Sequence, residues 1–356
     1  MSVTTAIDSP TTPAVVRERV DAALHEYLDR KAESAAARRL PRDLVDTVRS
    51  FLFGAGARRH ALFCVLGWQA GGGAGLPERV VRGAAAVELL QAATRIQDDM
   101  LQGVGIRNGR PTVHHTVADR CRGARGWTPP ERLGARAAVI IGDCGLAWAQ
   151  ELLHSAGAED GGAAAVFDAM RTDFGYARYL ELLTTGRPSA DLEQAWEIIH
   201  FRQVACGVEH PLHLGARLAG ADREVLTALS DYARPVGEAF GLRAELDGVF
   251  GHPDTGSGDL RDGKHTVLLA LALRQAEPVQ QERLRGLAGN PRLDEHDSAD
   301  CREIISATAL STVQELIGDR RSTAAAVLEG APFPPSTTAA LREIASAIPD
   351  FRQRLP

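Results

Sequence analysis

The sequence predicts an all-α fold, a helical bundle, and three observations lead there. Aromatic residues make up only 5% of the 356 residues while alanine is abundant. No stretch alternates apolar and polar residues with the period of two that a half-buried strand needs. Helical spacing is everywhere instead: in 83–101, Ala86, Leu89, Ala93, Ile96 and Met100 recur at intervals of three and four and form one apolar stripe.

Taken in chain order, "MSVTTAIDSPTTPA" is rich in Ser, Thr and Pro, so residues 1–14 are expected as a flexible arm ahead of a single domain over 15–356. Helices are expected near 14–34, 41–53, 57–70 and 83–101. The segment 134–153, "GARAAVIIGDCGLAWAQELL", is apolar nearly all round, which predicts a helix inside the bundle. Further helices are expected near 164–184, 191–206, 208–219 and 223–250. "LTTGRPSADLEQ" reads as a loop with Ser189 or Asp191 as the N-cap of the helix that follows. Gly, Pro and Asp crowd 251–265 and 287–300, predicting surface loops. Helices near 265–275, 301–328 and 336–346 complete about a dozen, with no internal repeat.

Composition narrows the function. A net charge of -6 argues against a general nucleic-acid binder, because no basic stripe offsets phosphate charge. An anionic ligand would need a local basic pocket or a bound cation. Five dispersed cysteines without a CxxC pair read as reduced thiols in a cytoplasmic protein. No apolar run approaches the ~18 residues of a membrane span, so no stable membrane insertion is expected.

The chemistry concentrates in "TRIQDDMLQGVGIRNGRPTVHH", 94–115. Asp98 and Asp99 stand at a helix end, with Arg107 and Arg110 in the Gly-punctuated loop beyond. Arg95 lies at i,i+4 spacing from Asp99, so a surface ion pair is one reading. The other is that adjacent carboxylates gather Mg²⁺, a hard ion that often shares ligands with a substrate phosphate. In "EAFGLRAELDGVFGHPDTGSGDLRDGKHT", 238–266, Glu245 and Asp247 run into a Gly-rich loop ending in Lys264. Eleven histidines show no HExxH-type spacing, and no GxSxG, Walker or GxGxxG loop is present.

The order of these pieces carries a resemblance. "VELLQAATRIQDD…GIRNGRPTVHH", "IGDCGLAWA", "ARYLELL", "VEHPLHLGARLAGA" and "GEAFGLRAELDGVFGHPD…GDLRDGKHTVLLALAL" together resemble the trans-polyprenyl diphosphate synthase family, over roughly 15–350. The resemblance implies an isoprenoid-synthase-type helical bundle around a central cavity, usually as a homodimer. It implies Mg²⁺ held by two aspartate-rich motifs, and an allylic prenyl diphosphate that ionises while cationic groups stabilise the leaving pyrophosphate. In elongating members isopentenyl diphosphate (IPP) then attacks the cation.

Carried over position by position, Asp98 and Asp99 remain as metal-binding and catalytic candidates. Arg107 matches the first arginine of the family's pair, and Arg202 stands for a lysine that holds the allylic diphosphate. Arg58, Gln102, Arg178 and Lys264 are candidate substrate contacts. The small Ala93 and Thr94, where chain-length limits lie, imply a deep tunnel for a tail of C15–C20 or longer. Departures are equally specific. Gln102 and Gly105 replace aspartates of the first motif, and Gln102 implies relaxed metal demand. In the second motif Ala244 and Glu245 replace the first two aspartates, leaving Glu245 as candidate metal ligand. A lysine of the following loop is missing from "DTGSGD". The Lys and Arg of the family's GKRxRP-like segment align with Ala57 and His60, leaving only Arg58; its histidine ahead of the first acids is Gln91, and its second paired arginine is Asn108.

Each lost charge-assisted contact costs ~1.5–3 kcal/mol, so the set implies IPP binding weakened ~10³-fold or more. The leading expectation is therefore Mg²⁺-dependent ionisation of an allylic prenyl diphosphate with a cyclase-like outcome or transfer to a non-IPP acceptor. The alternatives are a non-catalytic subunit paired with an active synthase, and an ordinary chain-elongating synthase.

Overall fold

The computed structural model describes residues 12–54, 56, 58–123, 128–158, 162–251 and 258–349. Most of the expected N-terminal arm, Ala57, and the middle of the expected 251–265 loop lie outside these residues. The fold is all-α. The helices are α1 (Pro13–Ala37), α2 (Asp43–Phe53), α3 (Arg59–Ala70), α4 (Glu78–Leu101), α5 (Val113–Cys121), α6 (Pro130–His154), α7 (Ala163–Thr184), α8 (Leu192–Ile199), α9 (His210–Ala219), α10 (Arg223–Phe250), α11 (Asp259–Asp262), α12 (Val267–Gln275), α13 (Pro278–Leu287), α14 (Glu295–Thr308), α15 (Leu310–Val327) and α16 (Pro335–Ser346). The only strands among the described residues are β1 (Ile106–Arg107) and β2 (Arg110–Pro111), paired antiparallel. Their turn is Asn108–Gly109, both at positive φ (50° and 70°), the geometry that favours Asn-Gly in two-residue hairpins.

The core divides into two apolar clusters, one built on α1–α7 and the other on α8 and α10–α16; α3 and α9 contribute to both. The sequence makes that junction possible with glycine. A Cβ on Gly67 would stand 1.8 Å from the Leu212 carbonyl oxygen, and one on Gly215 would stand 1.7 Å from that of Cys64. Only bare backbone lets α3 and α9 touch this closely.

Several helix boundaries differ from expectation. The segments expected as 191–206 and 208–219 are one rod, in which His200–Glu209 is π-helical. Gly237 of α10 nests against that wide segment, where a Cβ would lie 2.5 Å from Val204 Cα. The 301–328 helix breaks at Ala309, and α14 begins inside the expected 287–300 loop, capped by Asp294 accepting from Asp297 N–H. The short helices α5 and α13 carry too little periodic signal to be anticipated. Asp191, one of the two expected N-caps, accepts from Gln194 N–H.

The apolar α6 is not wholly interior. Val139 and Ile140 are exposed, and Tyr176, Tyr179, Leu182 and Leu183 of α7 are exposed as well. No helix of the described residues is long and apolar enough to cross a membrane.

Candidate active site

The last turns of α4 deliver Arg95, Asp98 and Gln102 to a cavity of about 390 Å³, with Asp99 buried behind them, and the cavity also receives α7, α8, the π-helical segment, α10, α11 and the turn before α12. The β1–β2 hairpin folds back so that Arg107 reaches Asp99, with Nε and Nη2 at 2.7 and 2.5 Å from Oδ1. Asp99 is fully buried, and its Oδ2 has no hydrogen-bond partner. Burial pushes its carboxyl above the usual value despite Arg107. The expected Arg95–Asp99 ion pair does not form.

Asp98 lies between two guanidinium groups: Arg178 Nε stands 2.7 Å from Oδ1 and Arg202 Nη2 stands 3.4 Å from Oδ2. Arg202 also pairs with Glu181, toward which Gln102 Nε2 points from 3.5 Å. Glu181 holds the Arg202 guanidinium well above its ordinary pKa, while burial raises the Glu181 carboxyl against the pull of Arg202. Arg95 has no hydrogen bond or ion pair among the described residues, and its side chain is exposed on the cavity wall. Desolvation, then Arg107 and Arg202, push its pKa down to about 10.

Across the cavity the second acidic segment differs from expectation. Glu245 turns away: its Oε1 and Oε2 accept from Val267 and Leu268 N–H at 3.1 and 3.0 Å, capping α12 beside the Thr266 hydroxyl, which takes Leu269 N–H. Both carboxylate oxygens face a helix N-terminus, so Glu245 is a capping residue and not the metal ligand the sequence suggests. Acid comes instead from Asp247, Asp259 and Asp262, which line the same space. Asp259 was missed in the sequence because a distant residue admits it: Gly248 leaves the gap its carboxylate fills, a Cβ there falling 1.8 Å from Oδ2. Lys264 Nζ holds Asp259 Oδ1 at 2.5 Å.

A second cavity, about 770 Å³, adjoins the first and shares Arg95 and Arg107 with it. Arg58, Arg59, His60, Arg110 and Arg120 also line it, against the single acid Glu88. Arg58, expected to touch substrate, is committed to Asp21 (2.6 Å) and leans on Glu88 (3.9 Å). Burial pushes the Glu88 carboxyl up, but His60, the Ala61 N–H and Arg58 outweigh it and hold the group below its usual value. Arg59 lies over the Phe240 ring at 4.4 Å, and Arg120 donates to Thr47 Oγ1 at 3.2 Å. Arg110, with no ion-pair partner, extends from the hairpin toward Gly54. Ala57, His60, Gln91 and Asn108 had implied a space stripped of cations. The structure corrects this, since Arg59 beside His60 on α3, Arg110 on the hairpin and Arg120 on α5 all line the space.

Where the deep tunnel is expected, Ala93 packs against Gly145 of α6, with a Cβ on that glycine reaching to 2.7 Å, and Thr94 returns its hydroxyl to the Leu90 carbonyl at 2.9 Å. Beneath Asp98 lies a crevice of about 40 Å³, bordered by Thr94, Phe174, Ala177 and Gln203.

A family model described as polyprenyl synthetase matches residues 43–306, well over half of the chain. The chain belongs to the polyprenyl synthetase family. Within this family, the crystal structure of geranylgeranyl pyrophosphate synthase from Corynebacterium glutamicum, complexed with isoprenyl diphosphate and magnesium, is 31% identical with a TM-score of 0.88, covering 96% of this chain and 99% of that one. Geranylgeranyl diphosphate synthase of Saccharolobus solfataricus is 26% identical over 67% of this chain and 70% of its own length. The (2E,6E)-farnesyl diphosphate synthase of Mycobacterium tuberculosis is 30% identical over 54% of this chain and 50% of its own.

Proposed function

We propose that this family member is a chain-elongating prenyl diphosphate synthase, joining an allylic prenyl diphosphate to IPP. The observation that carries the reading is the pair of adjoining cavities sharing Arg95 and Arg107, the first lined by both acids and cations and the second by arginines against the single acid Glu88. Cyclisation or transfer to another acceptor was favoured in the sequence only because the acceptor space looked uncharged, and Arg59, Arg110 and Arg120 remove that reason. The similarity to named elongating synthases points the same way.

In this reading the first cavity binds the allylic diphosphate through Arg95, Arg107, Arg202 and Lys264. These cations stabilise the charge that grows on the departing pyrophosphate as the C–O bond breaks. Val104, Ile106, Ile198 and Ile199 line the same cavity and keep water from the carbocation. The second cavity holds the IPP diphosphate on Arg59, Arg110 and Arg120, so its double bond faces the cation across the shared arginines.

Among the described residues no three His, Cys, Asp or Glu side chains converge on a metal position. The oxygen donors of Asp98, Glu181 and Asp259 nevertheless fit Mg²⁺, which is held by one or two carboxylates plus phosphate oxygens and water. Bound there, the ion would add Lewis-acid charge to the leaving group.

The test is product analysis with C5–C15 allylic diphosphates and Mg²⁺, with and without IPP. Products longer by multiples of five carbons are expected only with IPP. Arg110→Ala should raise the KM for IPP ~10–100-fold, the loss of one charge-assisted contact, with kcat little changed. Consumption of the allylic substrate to hydrocarbon or alcohol, indifferent to IPP, would overturn the reading. The exposed apolar residues of α6 and α7 support a homodimer as the working form.

A further inference from the structure

We infer that His60 takes up a proton when the second cavity takes a diphosphate, so that affinity for IPP falls as pH rises past neutrality, a step that rests on the reading of this cavity as the IPP site.

His60 lies in the first turn of α3, on the wall that the second cavity shares with the crevice beneath Asp98; Arg59, Gln91 and Arg95 also border both spaces. Its Nδ1 stands 3.7 Å from Glu88 Oε1, beyond hydrogen-bond length. That oxygen already accepts the Ala61 N–H at 2.9 Å, and Arg58 stands 3.9 Å from the other one. Glu88 is therefore divided among three groups, and it is the only acid lining the cavity among the described residues. Against it stand Arg58 and Arg59 from the start of α3, Arg95 from α4, Arg107 and Arg110 from the hairpin, and Arg120 from α5. Asp21 holds Arg58 and Asp99 holds Arg107, whereas Arg59, Arg95, Arg110 and Arg120 have no carboxylate partner among the described residues.

In such surroundings a further positive charge is unwelcome. Burial, seconded by Arg59 and Arg95, pushes the imidazole below its ordinary pKa and outweighs the pull of Glu88, so the ring is neutral at pH 7. A diphosphate reverses the balance, because its negative charge enters the same space and favours the imidazolium. Between the free and the bound pKa, binding then carries a proton in, and raising the pH through that window weakens it. The resemblance aligns this position with an arginine, which stays charged throughout and has no such window. The last proton of the diphosphate acts in the opposite sense, since cations favour its fully ionised form, so variants of His60 are needed to isolate the effect.

Calorimetric titration of the full chain with IPP, from pH 6 to 8 in buffers of different ionisation enthalpy, reads affinity and proton exchange together. Mg²⁺ and an allylic thiolodiphosphate, whose C–S bond does not ionise, keep the first cavity filled and prevent turnover. The wild-type protein should bind IPP about tenfold more weakly at pH 8 than at pH 6.5, and take up more protons per IPP than either variant. His60→Gln, which does not titrate, should lose that fall and bind about tenfold more weakly than wild type at pH 6.5. His60→Arg should keep tight binding up to pH 8. Wild-type and His60→Arg profiles that run parallel, or no greater proton uptake in the wild type, overturn the inference and leave the proposed function standing. Failure of the wild type to bind IPP at any pH overturns the proposed function itself.

Discussion

A single carboxylate shows how far its neighbours decide its role. Glu245 carries both oxygens to the N-terminus of α12, and burial pushes its pKa from the usual 4.5 up to about 8 in spite of those two N–H donors. Between pH 4.5 and 8 the folded state therefore keeps a proton that the unfolded chain has released, and stability must fall as pH rises through that window. The difference is on the order of 4 kcal/mol. Thermal unfolding from pH 5 to 8 should show a steeper fall for the wild type than for Glu245→Gln, whose side chain does not titrate. Parallel profiles would mean that Glu245 is already ionised at pH 5. At this scale the sequence was partly legible. Asp98, Arg107, Arg202 and Lys264 do meet in one cavity, with Asp99 buried behind Arg107, because they sit at helix ends and in a glycine-marked turn. Arg120 and Glu181 were invisible as site residues, since each enters through the packing of an element far off in sequence, while Arg59, Arg110 and Asp259 stood in stretches already singled out but carried no spacing that marked them.

Helix existence followed from periodicity, and the misreadings fall where periodicity is silent. Ala309 interrupts a pattern that runs on without Gly or Pro, and the π-helical 200–209 keeps an apolar face that looks α-helical in sequence. The α3–α9 crossing is legible only in hindsight, as glycines at 67 and 215. That contact joins the two halves of the core, so it predicts an element-scale result. Gly215→Ala forces a methyl to within 1.7 Å of the Cys64 carbonyl unless the helices part, and it should cost ~3 kcal/mol or more in chemical denaturation. Gly318→Ala is the control. It lies inside α15 with nothing within 4 Å of the added methyl, so it should be neutral or stabilise by ~0.5–1 kcal/mol. Equal losses at both positions would refute a specific role for the crossing.

For the molecule as a whole, the open question is what covers α6 and α7. A helix apolar on all sides has no moment to say which side meets protein, which is why 134–153 was read as interior although Ile140 is 58% exposed. On α7, Tyr176, Tyr179 and Leu183 recur at helical spacing and are likewise open, an arrangement a solitary soluble chain seldom keeps. A second copy of the chain is the occupant that both the resemblance and the two exposed faces favour. Light scattering at micromolar concentration should give a dimer mass. Ile140→Asp combined with Leu183→Asp should give a monomer with unchanged helical circular dichroism, because both side chains already meet solvent within one chain. A wild-type monomer would remove the homodimer. If such a monomer then co-elutes with a separate prenyl synthase, and the double variant does not, the same face serves a heteromer instead.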